Sequence, residues 1–262
     1  MIKTAIIAAL EREIHPLVKR WPRSQIEADG RTLTAYRSGQ LLAVAGGIGF
    51  NRAERAARAV VDRFRPEVLV SAGLAGALIH SLKAGSVVTP NVIIDAATGV
   101  EYRSDTGGEV VEAGVLVSAG EIAGQDSKLA LVKRYHGLIV DMEAAGVAKV
   151  AAESNLAFRC VKAISDELDF VMPPLNRFLD SQGGFSKQGL IAWAMLRPHR
   201  WLGIMRLARN TSRATHALCD WLRQNSAGGD PPPAVVTLER RTRSNSVTSK
   251  DALRTDGHRQ QN

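Results

Sequence analysis

Along the first 170 residues, short apolar runs alternate with longer stretches of mixed polarity. Ile6–Ala9, Leu41–Val44, Val68–Val70, Val92–Ile94, Val115–Val117, Leu138–Val140 and Cys160–Ile164 are such runs. They predict strands buried on both faces, because the alternation of a half-exposed strand is missing. Residues 11–21, 51–65, 126–135 and 143–154 predict the intervening helices. Strands and helices in this order form an α/β fold, a three-layer α/β/α sandwich with a sheet between helical layers. Ligands of such sheets gather at the carboxyl ends of the strands, so polar residues there are candidates for chemistry.

The C-terminal part is patterned differently. Trp201, Ile204, Met205, Ala208, Thr215, Leu218 and Leu222 form a helical stripe, with Arg206, Arg209 and Arg213 on another face. This predicts a last helix packed on the core by the stripe, with a solvated basic side. Gly228-Gly229-Asp230-Pro231-Pro232-Pro233 then breaks any helix. The segment that follows holds few large apolar residues and cannot offset its ordering entropy. The expected organisation is a main domain over 1–186, a basic helical region over 187–225 completing it, and a disordered tail over 226–262.

Charge sharpens that division. Of the net +8, residues 1–186 contribute nothing, with 21 basic and 21 acidic residues. Residues 187–225 carry seven basic residues against Asp220 alone, and Trp193, Trp201 and Trp221 lie there too. Tryptophan with arginine suits a membrane interface. Nucleic-acid binding ranks below that, because the main domain is neutral and carries no recognition motif. No run reaches the roughly 18 apolar residues of a membrane span, and the start lacks the pattern of a secretory signal. Cys160 and Cys219 show no metal-ligand spacing. A cytoplasmic protein is expected, with the inner membrane face as the alternative.

Four polar spots stand at strand ends. Glu11-Arg12-Glu13 follows the first strand, where acids also suit a helix N-terminus. Gly46-Gly47-Ile48-Gly49-Phe50-Asn51 joins a strand to a helix, as an anion cradle or a tight turn. Val140-Asp141-Met142-Glu143 and Ile164-Ser165-Asp166 close two further strands, where acids and serine are also ordinary caps. Each spot has a purely structural reading; four together point to a site.

Those motifs carry a resemblance. Val140-Asp141-Met142-Glu143-Ala144-Ala145 followed by Ala163-Ile164-Ser165-Asp166 resembles the phosphorylase superfamily that includes methylthioadenosine/S-adenosylhomocysteine nucleosidase. Ile7–Glu13, Gly46–Gly49, Ala72–Gly76 and Leu82–Val88 are similar to further segments of that family, in register over residues 4–170. The resemblance implies a nucleoside phosphorylase-like mixed sheet and makes 1–186 the catalytic domain. It implies that Glu143 accepts the ribose hydroxyls, Met142 packs on the sugar, Asp166 donates to N7 of the purine beside Ser165, and Glu13 activates water. Gly73 belongs to the substrate-binding loop, and Gly47, Gly49 and Arg52 to a phosphate or water site. The implied substrate is a small adenine nucleoside, cleaved at its N-glycosidic bond with release of adenine. No metal and no cofactor are implied, apart from inorganic phosphate as co-substrate if the reaction is phosphorolysis. A homo-oligomer is expected.

The chemistry requires these residue types. Adenine leaves poorly as an anion, so a proton must reach it as the bond breaks. The sugar turns oxocarbenium-like and is stabilised by a nearby carboxylate, and a second carboxylate activates water. The chain also departs from the nucleosidase pattern. Leu74 stands where a serine is usual, and Ser118–Ala123 lacks the aromatic that stacks on adenine. These departures, with Arg197-Pro198 and Leu207–Asn210, resemble the hopanoid-associated phosphorylases, which act on the lipid-linked adenosylhopane. Hydrolysis and phosphorolysis both stay open at this point: Glu13 favours water, and Arg52 favours phosphate. A catalytically silent nucleoside-binding module is the non-enzyme alternative, opposed by the joint presence of Glu13, Glu143 and Asp166.

Overall fold

A computed structural model of the chain describes residues 1–105, 114–171 and 201–225, together with Phe178 and Gly189. Trp193, Arg197-Pro198 and the tail over 226–262 lie outside the described residues. The strands are β1 (Thr4–Ala8), β2 (Arg23–Ala28), β3 (Arg31–Ser38), β4 (Leu41–Ala45), β5 (Val68–Ala77), β6 (Val87–Val88), β7 (Val92–Asp95), β8 (Glu101–Arg103), β9 (Val115–Ser118), β10 (Ile139–Asp141) and β11 (Ala157–Asp166). The helices are α1 (Glu11–Val18), α2 (Phe50–Phe64), α3 (Gln125–Tyr135), α4 (Ala144–Glu153) and α5 (Trp201–Asn225).

The strands form one mixed sheet in the order β2-β3-β4-β1-β5-β10-β9-β7-β8, with β11 on β5 and β6 on β11. Alternate residues of each strand face opposite layers. In β1, Ala5 and Ile7 join the core under α2 and α4, while Ile6 and Ala8 join the core under α1 and α5. The three expected layers follow. Gly146 of α4 permits the close packing of α2: a Cβ there would meet the Phe50 carbonyl at 2.5 Å. Helix α3 covers a smaller cluster of Leu78, Val117, Ala123 and Val140.

Central to the sheet is β5. Its first half runs parallel to β1, and its full length to Gly76 runs parallel to β11. At Gly76 and Ala77 it pairs antiparallel with β10. The β5–β11 register slips between Ile164 and Asp166, so Ser165 has no ladder partner on β5. A bulge of this kind re-aims the next side chain, and that side chain is Asp166.

Two sequence expectations need correction. The first helix stops at Val18 rather than at residue 21. The buried residues of helix α5 all lie in its C-terminal half: Ala214, Thr215, Leu218, Cys219 and Leu222. The expected stripe begins outside the core: Trp201 is 51% and Met205 67% exposed, and Ala208 is exposed as well. Arg209 stands at helical spacing from Trp201 and Met205, so charge and apolar residues share that outer face.

Candidate active site

The site forms where β1, β4, β5, β10 and β11 end. The β1–β4 end is stitched by the amides of Gly46 and Gly47, which donate to the Ala8 and Ala9 carbonyls at 2.8 Å. Glu13, in the first turn of α1, turns inward and is buried. Its Oε2 has no hydrogen-bond partner among the described residues. That oxygen faces the backbone of Gly73, where a Cβ would lie 3.1 Å from it and 3.5 Å from Lys162 Nζ. Burial pushes the Glu13 carboxyl up to about 7, against the opposing pull of Lys162, Arg12 and the Leu10 and Ala9 backbone.

The two acids around Met142 have different fates. Asp141 is consumed by structure: Ser118 Oγ donates to Oδ1 at 2.6 Å, and the Ala144 amide donates to Oδ2 at 2.9 Å. Lys162 Nζ reaches the same Oδ2 at 2.8 Å and donates to Ser71 Oγ at 3.1 Å. Lys162 is only 1% exposed. Burial pulls its ammonium down, but Asp141, Cys160 and Glu143 outweigh that and hold it above its ordinary range. Glu143, by contrast, crosses to the glycine loop, where Gly49, the N-terminal cap of α2 at φ 99°, donates its amide to Oε1 at 2.9 Å. The Met142 amide donates to Oε2 at 3.3 Å. Burial raises the Glu143 carboxyl to about 8, and Asp141 and Glu13 add to this while Lys162 and the Gly49 amide oppose it. Three carboxyls thus share the field of one ammonium, that of Lys162.

At the other end, Ser165 Oγ donates to Asp166 Oδ1 at 2.7 Å and also lies 3.3 Å from the Ala75 carbonyl. Lys128 Nζ, arriving from α3, donates to Asp166 Oδ2 at 2.6 Å. Glu13, Gly73, Glu143, Gly49, Ser165 and Asp166 therefore surround the carboxyl ends of neighbouring strands, with Met142 half-buried beside Glu143. Arg52 folds over Gly47, where a Cβ would lie 2.6 Å from its Cδ and Nη1. It lines a cavity of about 310 Å³ with Arg31, Thr32, Leu33 and Arg55, a cavity that contains none of Glu13, Glu143 and Asp166. Among the described residues no cluster of His, Cys, Asp and Glu is suited to a metal ion.

Sequence reasoning passed over Lys128 and Lys162. A lysine inside the apolar run Cys160–Ile164 was a visible signal for the second. Nothing in the local pattern marked the first.

Comparisons with known proteins bear on the fold and the family. A 5′-methylthioadenosine/S-adenosylhomocysteine nucleosidase from Bacillus licheniformis is 26% identical over 205 residues, covering 63% of this chain and 86% of the relative. A Helicobacter pylori nucleosidase of the same name, crystallised with butyl-thio-DADMe-Immucillin-A, shares the fold with TM-score 0.63 at 16% identity, covering 86% of this chain and 97% of its own. The futalosine hydrolase of Helicobacter pylori also superposes with TM-score 0.63, at 14% identity over 85% of this chain and 96% of its own. The family model of the phosphorylase superfamily matches residues 3–108 and 101–181, well over half of the sequence, and the chain belongs to that superfamily.

Proposed function

We propose that the protein hydrolyses the N-glycosidic bond of an adenine nucleoside, releasing adenine and a free sugar. The observation that carries this reading is the unpartnered, buried Oε2 of Glu13 facing Gly73. A buried polar atom without a partner calls for a ligand or water. A carboxyl raised to about 7 is well matched to accepting a proton from water near neutral pH. Glu143 is fixed by the Gly49 and Met142 amides. Its oxygens keep acceptor positions beyond those two amides, which suit the ribose hydroxyls, and the growing positive charge on the sugar favours its ionised form. Asp166, re-aimed by the bulge, lies at the base end.

Hydrolysis is favoured over phosphorolysis by charge. Glu13 and Glu143 both approach the place where the nucleophile would sit, and the Gly49 amide that would cradle an anion is taken by Glu143. Arg52 is directed toward the separate cavity it lines with Arg31 and Arg55. The test is adenine release from methylthioadenosine, adenosylhomocysteine and a 5′-alkyl adenosine, with and without phosphate. Equal rates with and without phosphate support the reading, and strict dependence on phosphate overturns it.

A lipid-linked nucleoside is the second reading, favoured by the outer face of α5. Trp201, Leu202 and Met205 are 51%, 81% and 67% exposed there, beside the exposed Arg206 and Arg209. Among the described residues no helix is long and apolar enough to cross a membrane. Contact with a membrane would therefore be peripheral, with each basic residue near an anionic surface adding about 1 kcal/mol. Co-sedimentation with anionic liposomes at low salt, together with higher efficiency on the longer 5′-alkyl substrate, is the expected result. A preference for the methylthio compound without liposome binding removes this second reading.

A further inference from the structure

The cavity of about 310 Å³ between β3 and α2 stands apart from the catalytic acids, and three arginines line it. Local structure puts each of them there. The turn Asp29-Gly30 between β2 and β3 has φ of 47° and 73°, the left-handed pair of a tight two-residue hairpin. It fixes Arg31, the next residue, opposite Ala28. Arg52 and Arg55 are three residues apart on α2 and so share a face of that helix. Arg52 can lie across the glycine loop because Gly47 has no side chain: a Cβ there would meet its Cδ and Nη1. Asp29 Oδ2 lies 3.3 Å from Arg55 Nε and ties the hairpin turn to the helix. Leu33 and Ala56, both buried, complete an apolar part of the lining.

Composition does not impose this convergence, since residues 1–186 carry 21 basic and 21 acidic residues. Among the described residues that line the cavity there is no carboxylate. Asp29, with its side chain 80% exposed, meets Arg55 from the rim. Three guanidiniums brought together repel one another, and an anion is their complement. Each carries five donors in a fixed fork, so a single protein partner does not exhaust it. A carboxylate offers one charge and two oxygens in a plane. A phosphomonoester offers three terminal oxygens and close to two charges at neutral pH, which matches three forks arriving from two elements. The volume is at the small end of the range for metabolite pockets, about 300–1,000 Å³, so there is room for a sugar-sized body as well as the phosphoryl group. We propose that Arg31, Arg52 and Arg55 form a binding site, separate from the catalytic centre, for the phosphoryl group of a small phosphorylated sugar. The site stands independently of the nucleosidase reading.

The experiment is calorimetric titration of the full-length protein with ribose 5-phosphate, inorganic phosphate and ribose, with potassium chloride holding the ionic strength constant. Ribose 5-phosphate should bind more tightly than inorganic phosphate, and ribose should not bind detectably. Arg31→Gln and Arg55→Gln should each weaken ribose 5-phosphate about tenfold or more, the effect of one lost charge-assisted hydrogen bond. Both should keep their turnover of methylthioadenosine within a few-fold of wild type. Glu143→Gln, which alters the ribose end of the catalytic centre, should leave the affinity for ribose 5-phosphate unchanged. Melting temperatures without ligand check that each variant folds, and Arg55→Gln, at a partly exposed position, carries the test should Arg31→Gln not fold. Absence of binding overturns the proposal, as does an affinity that neither arginine variant changes. Weakening in Glu143→Gln instead would place the sugar phosphate in the catalytic pocket, and inorganic phosphate binding as tightly as ribose 5-phosphate would leave only an inorganic-ion site; each overturns the assignment. None of these results touches the nucleosidase reading, which is decided by adenine release.

Discussion

Replacing Glu13 by Gln should change how stability depends on pH. In the folded chain the Glu13 carboxyl keeps its proton up to about pH 7, whereas its ordinary value is 4.5. The folded state is therefore at its best, as far as this group is concerned, below 4.5, and loses that advantage as pH rises through 7. Each pH unit between the two values corresponds to about 1.4 kcal/mol, so forcing the buried carboxylate to form costs about 3 kcal/mol at pH 9. Glutamine preserves the shape and never ionises. Whatever the amide itself costs in that position is independent of pH and cancels when two pH values are compared. Urea denaturation followed by circular dichroism at pH 4 and pH 9 measures the difference. The variant should gain about 3 kcal/mol on wild type between the two, and should lose turnover because water is no longer activated. Parallel pH profiles, within about 1 kcal/mol, would show that Glu13 ionises freely and would remove the physical basis for its role as base.

Other perturbations probe the remaining parts. Glu143→Gln and Asp166→Asn should each lower adenine release about 100-fold or more while far-UV circular dichroism stays unchanged; near-normal turnover in either would detach that residue from the site. Gly146→Ala forces a Cβ to within 2.5 Å of the Phe50 carbonyl, so α2 and α4 must separate, at a cost of roughly 1–3 kcal/mol read from urea midpoints. A chain ending at Asn225 should keep its melting temperature and its activity on soluble nucleosides, the outcome expected from the scarcity of large apolar residues after Ser226; a large drop in either would show that the tail docks.

Much of the fold could be read from contiguous apolar runs, because strands buried on both faces leave an unambiguous trace. The hairpin of β2 and β3 left none: Arg23, Ser24 and Gln25 are exposed and only Ile26 and Ala28 of β2 are buried, as befits a sheet edge. For α5, periodicity revealed the helix but not where its packing begins. Trp201 and Met205 continue the stripe of Leu218 and Leu222, and only the limited contact with α1 and β11 decides which part is covered. The acids of the site were visible because they stand at strand ends in familiar motifs. Their division of labour was not: Asp141 and Glu143 look equivalent in sequence, and only Lys162, Ser118 and Gly49 separate a structural anion from one directed at the glycine loop. The two buried lysines escaped because lysine is ordinarily exposed. Their partners are distant in sequence, with Lys128 meeting Asp166 across 38 residues.

The most direct test of a hydrolytic nucleosidase is the fate of the sugar. Purified full-length protein is incubated with methylthioadenosine in phosphate-free buffer and again with added phosphate, and both products are identified by chromatography. Adenine and free methylthioribose should form at the same rate in both, as the proposed activation of water by Glu13 requires. Adenine formed only with phosphate, together with a sugar 1-phosphate, would contradict the account, as would folded protein that releases no adenine from any adenine nucleoside.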